Sequence, residues 1–257
     1  MEIAGKIVVV TGAASGIGRA LVEAFLAAGA SKVVAADIDL AGAETVAAAT
    51  GAIARQVDVG QEADIQGLIE RTEAEIGPIG IFCSNAGIIF RGGLEIPNDD
   101  WQKIWDINVM AHVWAARHVA PRMAERGEGY LLNTASAAGL LNQVGAAPYA
   151  VTKHAAVGLA EWISMTHGDA GVRVSLLCPQ AVRTGMTAST ESVAAIDGLL
   201  EAAPVAEACL EAICEERFLV LPHPEVLEYM RRKTADYDRW LGGMRRLNRR
   251  FQGGFGD

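Results

Sequence analysis

The sequence predicts an α/β fold, a seven-stranded parallel sheet wound doubly with helices on both faces, on three observations. Short β-branched runs alternate with helical patterns for most of the length. A glycine-rich turn follows the first run and opens a helix. No internal repeat and no Pro-, Ser- or Gly-rich linker interrupts the alternation before the tail. The expected strands are Lys6 to Thr11, Lys32 to Asp37, Ala52 to Asp58, Ile79 to Asn85, Tyr130 to Ser136, Val172 to Cys178 and Phe218 to Leu221. Helical stretches lie between them at about 17–28, 40–49, 61–76, 98–126, 148–168 and 204–216. From about Pro224 the pattern becomes an Arg-rich helix that frays in the glycine-rich Gln252 to Asp257. The expected organisation is one domain over 1–223, with 224–257 as its basic helical extension.

Composition narrows the function classes. The 257 residues carry 22 Lys plus Arg against 31 Asp plus Glu, a net charge of −9. That acidic balance argues against a nucleic-acid partner, whose binding face carries excess Lys and Arg, and offers no broad attraction to anionic membranes. Cys83, Cys178, Cys209 and Cys214 form no C-x-x-C pair, which reads as reduced, core-filling thiols in a cytoplasmic protein with no disulfide framework and no zinc site. The opening Met-Glu-Ile-Ala-Gly-Lys runs into a strand and leaves no room for a signal peptide. Gly129 to Thr152 is free of charge over a membrane-spanning length, but Asn133, Asn142, Gln143 and Pro148 make it a buried strand and a cavity-lining loop instead.

The turn after the first strand is Thr11-Gly12-Ala13-Ala14-Ser15-Gly16-Ile17-Gly18-Arg19. A dinucleotide pyrophosphate needs glycines there, because side chains would block its approach to the N–H groups at the helix N-terminus. Asp37 closes the second strand nineteen residues beyond Gly18, where a carboxylate accepts hydrogen bonds from the adenosine ribose and repels a 2′-phosphate. Gly12, Ser15, Gly16, Ile17, Gly18 and Asp37 therefore predict a Rossmann-type site that takes NAD(H) over NADP(H). Asp58-Val59 and Asn85-Ala86-Gly87 end the third and fourth strands at the same carboxyl edge of the sheet.

Tyr149 and Lys153 stand four residues apart on a helix begun by Pro148, so they share one face. A phenol is a poor acid-base near pH 7 unless its anion is stabilised. An ammonium roughly 4–5 Å away, at an effective dielectric near 20, supplies on the order of 3–4 kcal/mol. Thirteen residues upstream of Tyr149, Ser136 ends the fifth strand within Asn133-Thr134-Ala135-Ser136-Ala137-Ala138-Gly139.

With these motifs in this order, the sequence resembles the short-chain dehydrogenase/reductase family, in its compact branch, from residue 3 to about 220. The resemblance implies that Ser136 hydrogen-bonds the substrate oxygen, that Tyr149 exchanges the proton, and that Lys153 binds the nicotinamide ribose and lowers the Tyr149 pKa. It also implies that Asn108, in Asp106-Ile107-Asn108-Val109, holds a water in the proton relay. It also places Val182 and Thr184 near the nicotinamide carboxamide, with Pro179 in the same cofactor-binding segment. The chain departs from the family's Pro-Gly with Pro179-Gln180, which leaves two readings for Gln180: an amide turned to the reacting centre, or one turned harmlessly outward.

Leu140, Leu141, Val144 and Met186 flank the expected centre with no Arg or Lys near them apart from Arg183, and suggest an apolar alcohol or ketone rather than a phosphorylated sugar or acid. The segment around 185–203 is expected to be a lid. The helix after Tyr149 is nearly apolar all round and so predicts a subunit interface; the family resemblance points to a homotetramer built as a dimer of dimers. In the tail, Arg231, Arg232, Lys233, Arg239, Arg245, Arg246, Arg249 and Arg250 outnumber Asp236 and Asp238. They form either a solvated or ion-paired helix or a site for an anionic substrate portion such as a CoA thioester. The reading these features favour is an NAD-dependent alcohol dehydrogenase or ketone reductase. The alternative is a non-catalytic dinucleotide sensor or scaffold on the same fold.

Overall fold

A computed structural model describes residues 1–185 and 195–252. All seven strands are parallel, in the order β3-β2-β1-β4-β5-β6-β7. They are β1 (Ile7–Thr11), β2 (Lys32–Asp37), β3 (Ile53–Gln56), β4 (Ile79–Ser84), β5 (Gly129–Thr134), β6 (Val172–Leu177) and β7 (Leu219–Val220). Winding starts at β1, runs outward to β3, then reverses to β4 and continues to β7. That reversal opens a crevice beyond the carboxyl ends of β1 and β4, where ligands bind in open parallel sheets.

The two-residue period of a strand sorts the core into two layers. Val8, Val10, Tyr130 and Leu132 face one way, against α1 (Gly16–Ala27) and α8 (Ala202–Glu215). Val9 and Leu131 face the other way, against α3 (Glu62–Glu75), α5 (Ala111–Arg126) and α7 (Ala147–His167). Burial on both faces requires strands with no polar alternation, which is why Val8, Val9 and Val10 are adjacent and all fully buried. The remaining helices are α2 (Leu40–Thr50), α4 (Asn98–Trp105), the four-residue α6 (Ala138–Leu141), α9 (Glu225–Ala235) and α10 (Tyr237–Gln252). Among the described residues no helix is long and apolar enough to cross a membrane.

Four expectations are corrected. The third strand is Ile53–Gln56 rather than Ala52 to Asp58, because it is an edge strand that pairs only with β2 and its chain turns away once the Val57 N–H has bonded to the Asp37 carbonyl. The stretch 98–126 is not one regular α-helix: Asp106–Met110 forms a π-helical segment between α4 and α5. The basic tail is two helices, because Asp236 leaves the helical backbone (φ −155°, ψ 95°) and caps α10, its Oδ1 accepting the Arg239 N–H at 2.9 Å. Cys83, Cys178 and Cys209 are buried thiols, but Cys214 is exposed, one position past the inward-facing Ile213 on α8.

Candidate active site

The crevice at the winding reversal is a cleft of about 430 Å³, lined at one end by the glycine turn and at the other by Ser136 and Tyr149. Gly12 and Gly16 adopt positive φ (+68° and +54°), which a side chain resists. A Cβ on Gly12 would lie 2.9 Å from the Ala86 Cα, and one on Gly16 would lie 2.7 Å from the Thr184 methyl. A Cβ on Gly18 would collide with the Gly12 carbonyl. Ser15 stands at the N-cap of α1 with its hydroxyl making no cap hydrogen bond, so the first-turn N–H groups face the cleft. This is a cradle sized for backbone contact with an anionic group. Gly18→Ala should therefore lower coenzyme affinity more than tenfold and cost about 2 kcal/mol of stability, read by calorimetric titration and thermal melting, since the obstacle is backbone and cannot turn aside.

Asp37 is fixed at the lip of this cradle: Oδ2 accepts the Ala14 N–H at 2.9 Å and Oδ1 accepts the Asp39 N–H at 3.0 Å. Ile17, Asp58, Val59, Ala86, Gly87, Pro179, Val182 and Thr184 also line the cleft. Asn85 lines it while stitching three strand ends together. Its Nδ2 donates to the Thr11 carbonyl at 3.1 Å, and its Oδ1 accepts the Thr134 hydroxyl at 3.1 Å. The Thr11 hydroxyl in turn accepts the N–H groups of Asn85 and Ala86. These bonds explain why the strand-end residues are Thr and Asn. Met186 lies outside the described residues, as do 186–194 of the expected lid and 253–257 of the expected fraying end.

The catalytic candidates converge behind the cleft. Lys153 is buried and its Nζ donates to the Thr134 carbonyl at 2.9 Å. Asn108 sits in the π-helical segment, fully buried. Its Oδ1 accepts the Ile88 N–H and its Nδ2 donates to the Ile88 carbonyl, each at 2.9 Å. The same Nδ2 reaches the Thr152 hydroxyl at 3.2 Å, tying the strand-end loop to α7. A Cβ on Gly87 would stand 3.2 Å from Asn108 Oδ1 and 3.4 Å from Lys153 Nζ, tight enough to shift the Asn108 side chain. The Ser136 hydroxyl accepts the Ala138 N–H at 3.1 Å and donates weakly to the Pro179 carbonyl at 3.4 Å.

The charge logic differs from the sequence expectation. Burial raises the Tyr149 phenol above its ordinary value, the Ser136 hydroxyl lowers it in part, and the Cys178 thiol raises it; Lys153 is not among the causes. The ammonium lies over the ring, 5.6 Å from its centroid, and is turned to a carbonyl. Burial also lowers the Lys153 pKa to about 8. Lys153 therefore stays mostly protonated at neutral pH, its ammonium over the Tyr149 ring face and donating to the Thr134 carbonyl.

A second cavity, of about 630 Å³, opens from the same Ser136 and is roofed by α9 and α10. Ser136 and Gln180 line both cavities. Gln180 is turned inward: its Nε2 donates to Asp197 Oδ2 at 2.9 Å, its N–H donates to His223 Nδ1 at 3.2 Å, and its Oε1 is buried without a partner. The Tyr229 hydroxyl donates to the other oxygen of Asp197 at 2.9 Å, so one carboxylate joins the loop after β6 to α9. Leu141, not Leu140 or Val144, forms the cavity wall; Leu140 packs between the core and α9, and its carbonyl accepts the Lys233 Nζ at 2.6 Å.

Sequence reasoning missed Gly139, whose absent side chain lets α6 rest on the Lys153 backbone and so fixes Ser136 against the Tyr149 helix. It also missed His112, 1% exposed on α5, with neither ring nitrogen hydrogen-bonded. A lone glycine in an Ala-rich turn and a lone histidine on a helix carry no local signal.

Known proteins share both the sequence and the backbone. The short chain dehydrogenase family model matches residues 6–194. The chain is 33% identical to 1-deoxy-11-beta-hydroxypentalenate dehydrogenase of Streptomyces exfoliatus, over 92% of its own length and 90% of that protein's. It is 39% identical to 2,5-dichloro-2,5-cyclohexadiene-1,4-diol dehydrogenase of Sphingobium indicum, over 72% of its length and 76% of that protein's. A crystal structure of a short chain dehydrogenase/reductase from Burkholderia phymatum, in complex with NAD, superposes with a TM-score of 0.84 at 34% identity, covering 93% of this chain and 96% of that one. Sequence and backbone agree over nearly the same span, and the chain belongs to the short-chain dehydrogenase/reductase family of oxidoreductases.

Proposed function

We propose that this protein is an NAD-dependent dehydrogenase that interconverts an apolar secondary alcohol and its ketone. The observation that carries this reading is the meeting of two cavities at Ser136: a glycine-cradled cleft with Tyr149 in its wall on one side, and a largely apolar chamber on the other. A non-catalytic sensor has no use for a second chamber opening onto the Ser136 hydroxyl that also faces the cleft. The residues present fit a dinucleotide, since the Gly12–Gly18 cradle leaves room for a pyrophosphate and Asp37 stands where an adenosine ribose ends.

When bound, the nicotinamide supplies the hydride acceptor in oxidation and the donor in reduction. In oxidation, the Ser136 hydroxyl would hold the substrate oxygen, and Tyr149 Oη, once its own proton has passed out to solvent along the relay, would take the hydroxyl proton as the C–H pair leaves the carbinol carbon as hydride for the bound nicotinamide and the carbonyl forms. The ribose contact is assigned to Lys153, whose ammonium keeps two protons beyond the one donated to the Thr134 carbonyl. Asn108, whose side chain is committed to Ile88, is assigned the relay water at the end of this path. Exposed Val151, Trp162 and Met165 on α7 supply an apolar face of the kind that joins subunits, which supports a homotetramer.

A panel of secondary alcohols and ketones, read by nicotinamide absorbance with both coenzymes, tests the reading. Turnover with NAD(H) and little with NADP(H) is expected. Coenzyme binding with no turnover across the panel favours the sensor instead. Asp37→Ser should narrow the preference for NAD over NADP by about 10- to 100-fold, because it removes the charge that repels a 2′-phosphate. An unchanged ratio would remove Asp37 from coenzyme selection.

A further inference from the structure

Among the described residues, the arginines of this acidic chain are mostly matched to carboxylates: Arg19 to Glu23, Arg55 to Glu75, Arg117 to Glu62, Arg173 to Glu216. Arg71, Arg91, Arg231, Arg245, Arg249 and Arg250 have no such partner, and neither do Arg239 and Arg246, which differ from them in position. Seven residues apart on α10, they fall two turns along one face, and both line the 630 Å³ chamber. Neither makes an ion pair or a side-chain hydrogen bond among the described residues. The carboxylates nearby are engaged elsewhere: Asp236 caps α10, Asp197 accepts from Gln180 and Tyr229, and Glu228 pairs with Arg232. Leu141, Ile196, Tyr229, Trp240, Met244 and Leu247 form its apolar and aromatic walls, Asn142, Gln143, Gln180, Arg232 and Asp236 add polar groups, and its floor is Ser136. The space is thus amphipathic along its length, with a hydroxyl at one end, hydrocarbon between, and unpaired guanidinium groups at the rim.

We infer that the substrate is an apolar alcohol or ketone bearing a carboxylate, its carbinol at Ser136 and its carboxylate held by Arg239 and Arg246. The inference rests on the dehydrogenase reading above and names its substrate class. It resolves the two sequence readings of the basic tail in favour of an anion site at these two positions. The chamber is too small to hold a CoA nucleotide along with a reacting carbon chain, which leaves a free hydroxy or oxo acid. Guanidinium presents the forked donors that match a carboxylate, and an exposed pair of this kind changes affinity several-fold, so two together give about tenfold.

The test uses the coenzyme-loaded protein and two probes of equal chain length, decanoate and 1-decanol, titrated by calorimetry. Decanoate is expected to bind about tenfold tighter than decanol. That ratio should collapse toward one in the Arg239→Gln, Arg246→Gln double variant and shrink as salt rises from about 0.05 to 0.5 M. Equal binding in the wild type, or a ratio the double variant leaves intact, overturns the inference. In parallel, a 9-oxodecanoate and methyl 9-oxodecanoate pair is assayed for reduction. Turnover of both with no preference for the acid also overturns the inference while the dehydrogenase reading stands. A decanoate preference that the double variant abolishes, with neither ketone reduced by a protein that binds coenzyme, keeps the anion site and counts against the dehydrogenase reading instead.

Discussion

Tyr149→Phe should reduce turnover by about 10²- to 10⁴-fold while leaving coenzyme affinity within about threefold. The substitution deletes one oxygen and keeps the ring beneath the Lys153 ammonium, so the helix and the wall of the cleft persist. What is lost is the group that takes the proton as the carbonyl forms. Burial holds the phenol in its protonated form at neutral pH, with the Ser136 hydroxyl working in the opposite direction. Proton transfer to Tyr149 therefore depends on groups that favour the anion once substrate and coenzyme are in place. Rapid-mixing measurement of the hydride step, paired with coenzyme titration, separates the chemical loss from a binding loss. More than a tenth of wild-type turnover in the variant would take the proton-transfer role away from Tyr149.

An acid lability traceable to His112 is the second large effect expected. Burial drives its pKa down from 6.5 to about 3, and the Lys153 cation adds to the shift. In the unfolded chain this imidazole protonates below about pH 6.5, but in the folded protein it stays neutral until about pH 3. The unfolded state then binds more protons throughout that window, so the His112 contribution is complete above pH 6.5 and is lost as pH falls toward 3. At about 1.4 kcal/mol per pH unit, the loss between pH 6.5 and 4.5 is on the order of 2–3 kcal/mol. His112→Leu, which keeps most of the volume and removes two unbonded nitrogens, should flatten that fall and leave stability at pH 7 equal or higher. His223, Glu62 and Glu73 titrate alike in both proteins, so the difference between their denaturant midpoints at pH 7 and 4.5 isolates His112. Parallel curves for the two proteins would contradict the assignment. Lys153 does not enter this window, since it titrates near pH 8.

The parts of the site legible in the sequence are those held within one turn or one strand end. Gly12, Gly16 and Gly18 are set by local backbone geometry, and Tyr149 and Lys153 by helical spacing, so their arrangement can be read from residue types and intervals alone. The π-helical segment around Asn108 was hidden because the apolar pattern from 98 to 126 is continuous, and the extra residue per turn depends on the pull of Ile88 and Thr152 from two other elements. The direction of the Lys153 ammonium was hidden for a related reason. Spacing places the two on one face, but the Thr134 carbonyl decides where the ammonium points.

The sequence by itself determined the alternation of strands and helices, the cradle at the first turn, the carboxylate at Asp37 and the pairing of Tyr149 with Lys153, because each depends on neighbours a few residues apart. Only the tertiary structure decided that Ser136 and Gln180 stand where two cavities meet and that α10 turns Arg239 and Arg246 toward one of them. Those facts join residues about a hundred positions apart in the chain. They follow from the parallel sheet bringing β5 and β6 side by side and from Asp236 bending the tail back over Ser136, neither of which any local pattern encodes.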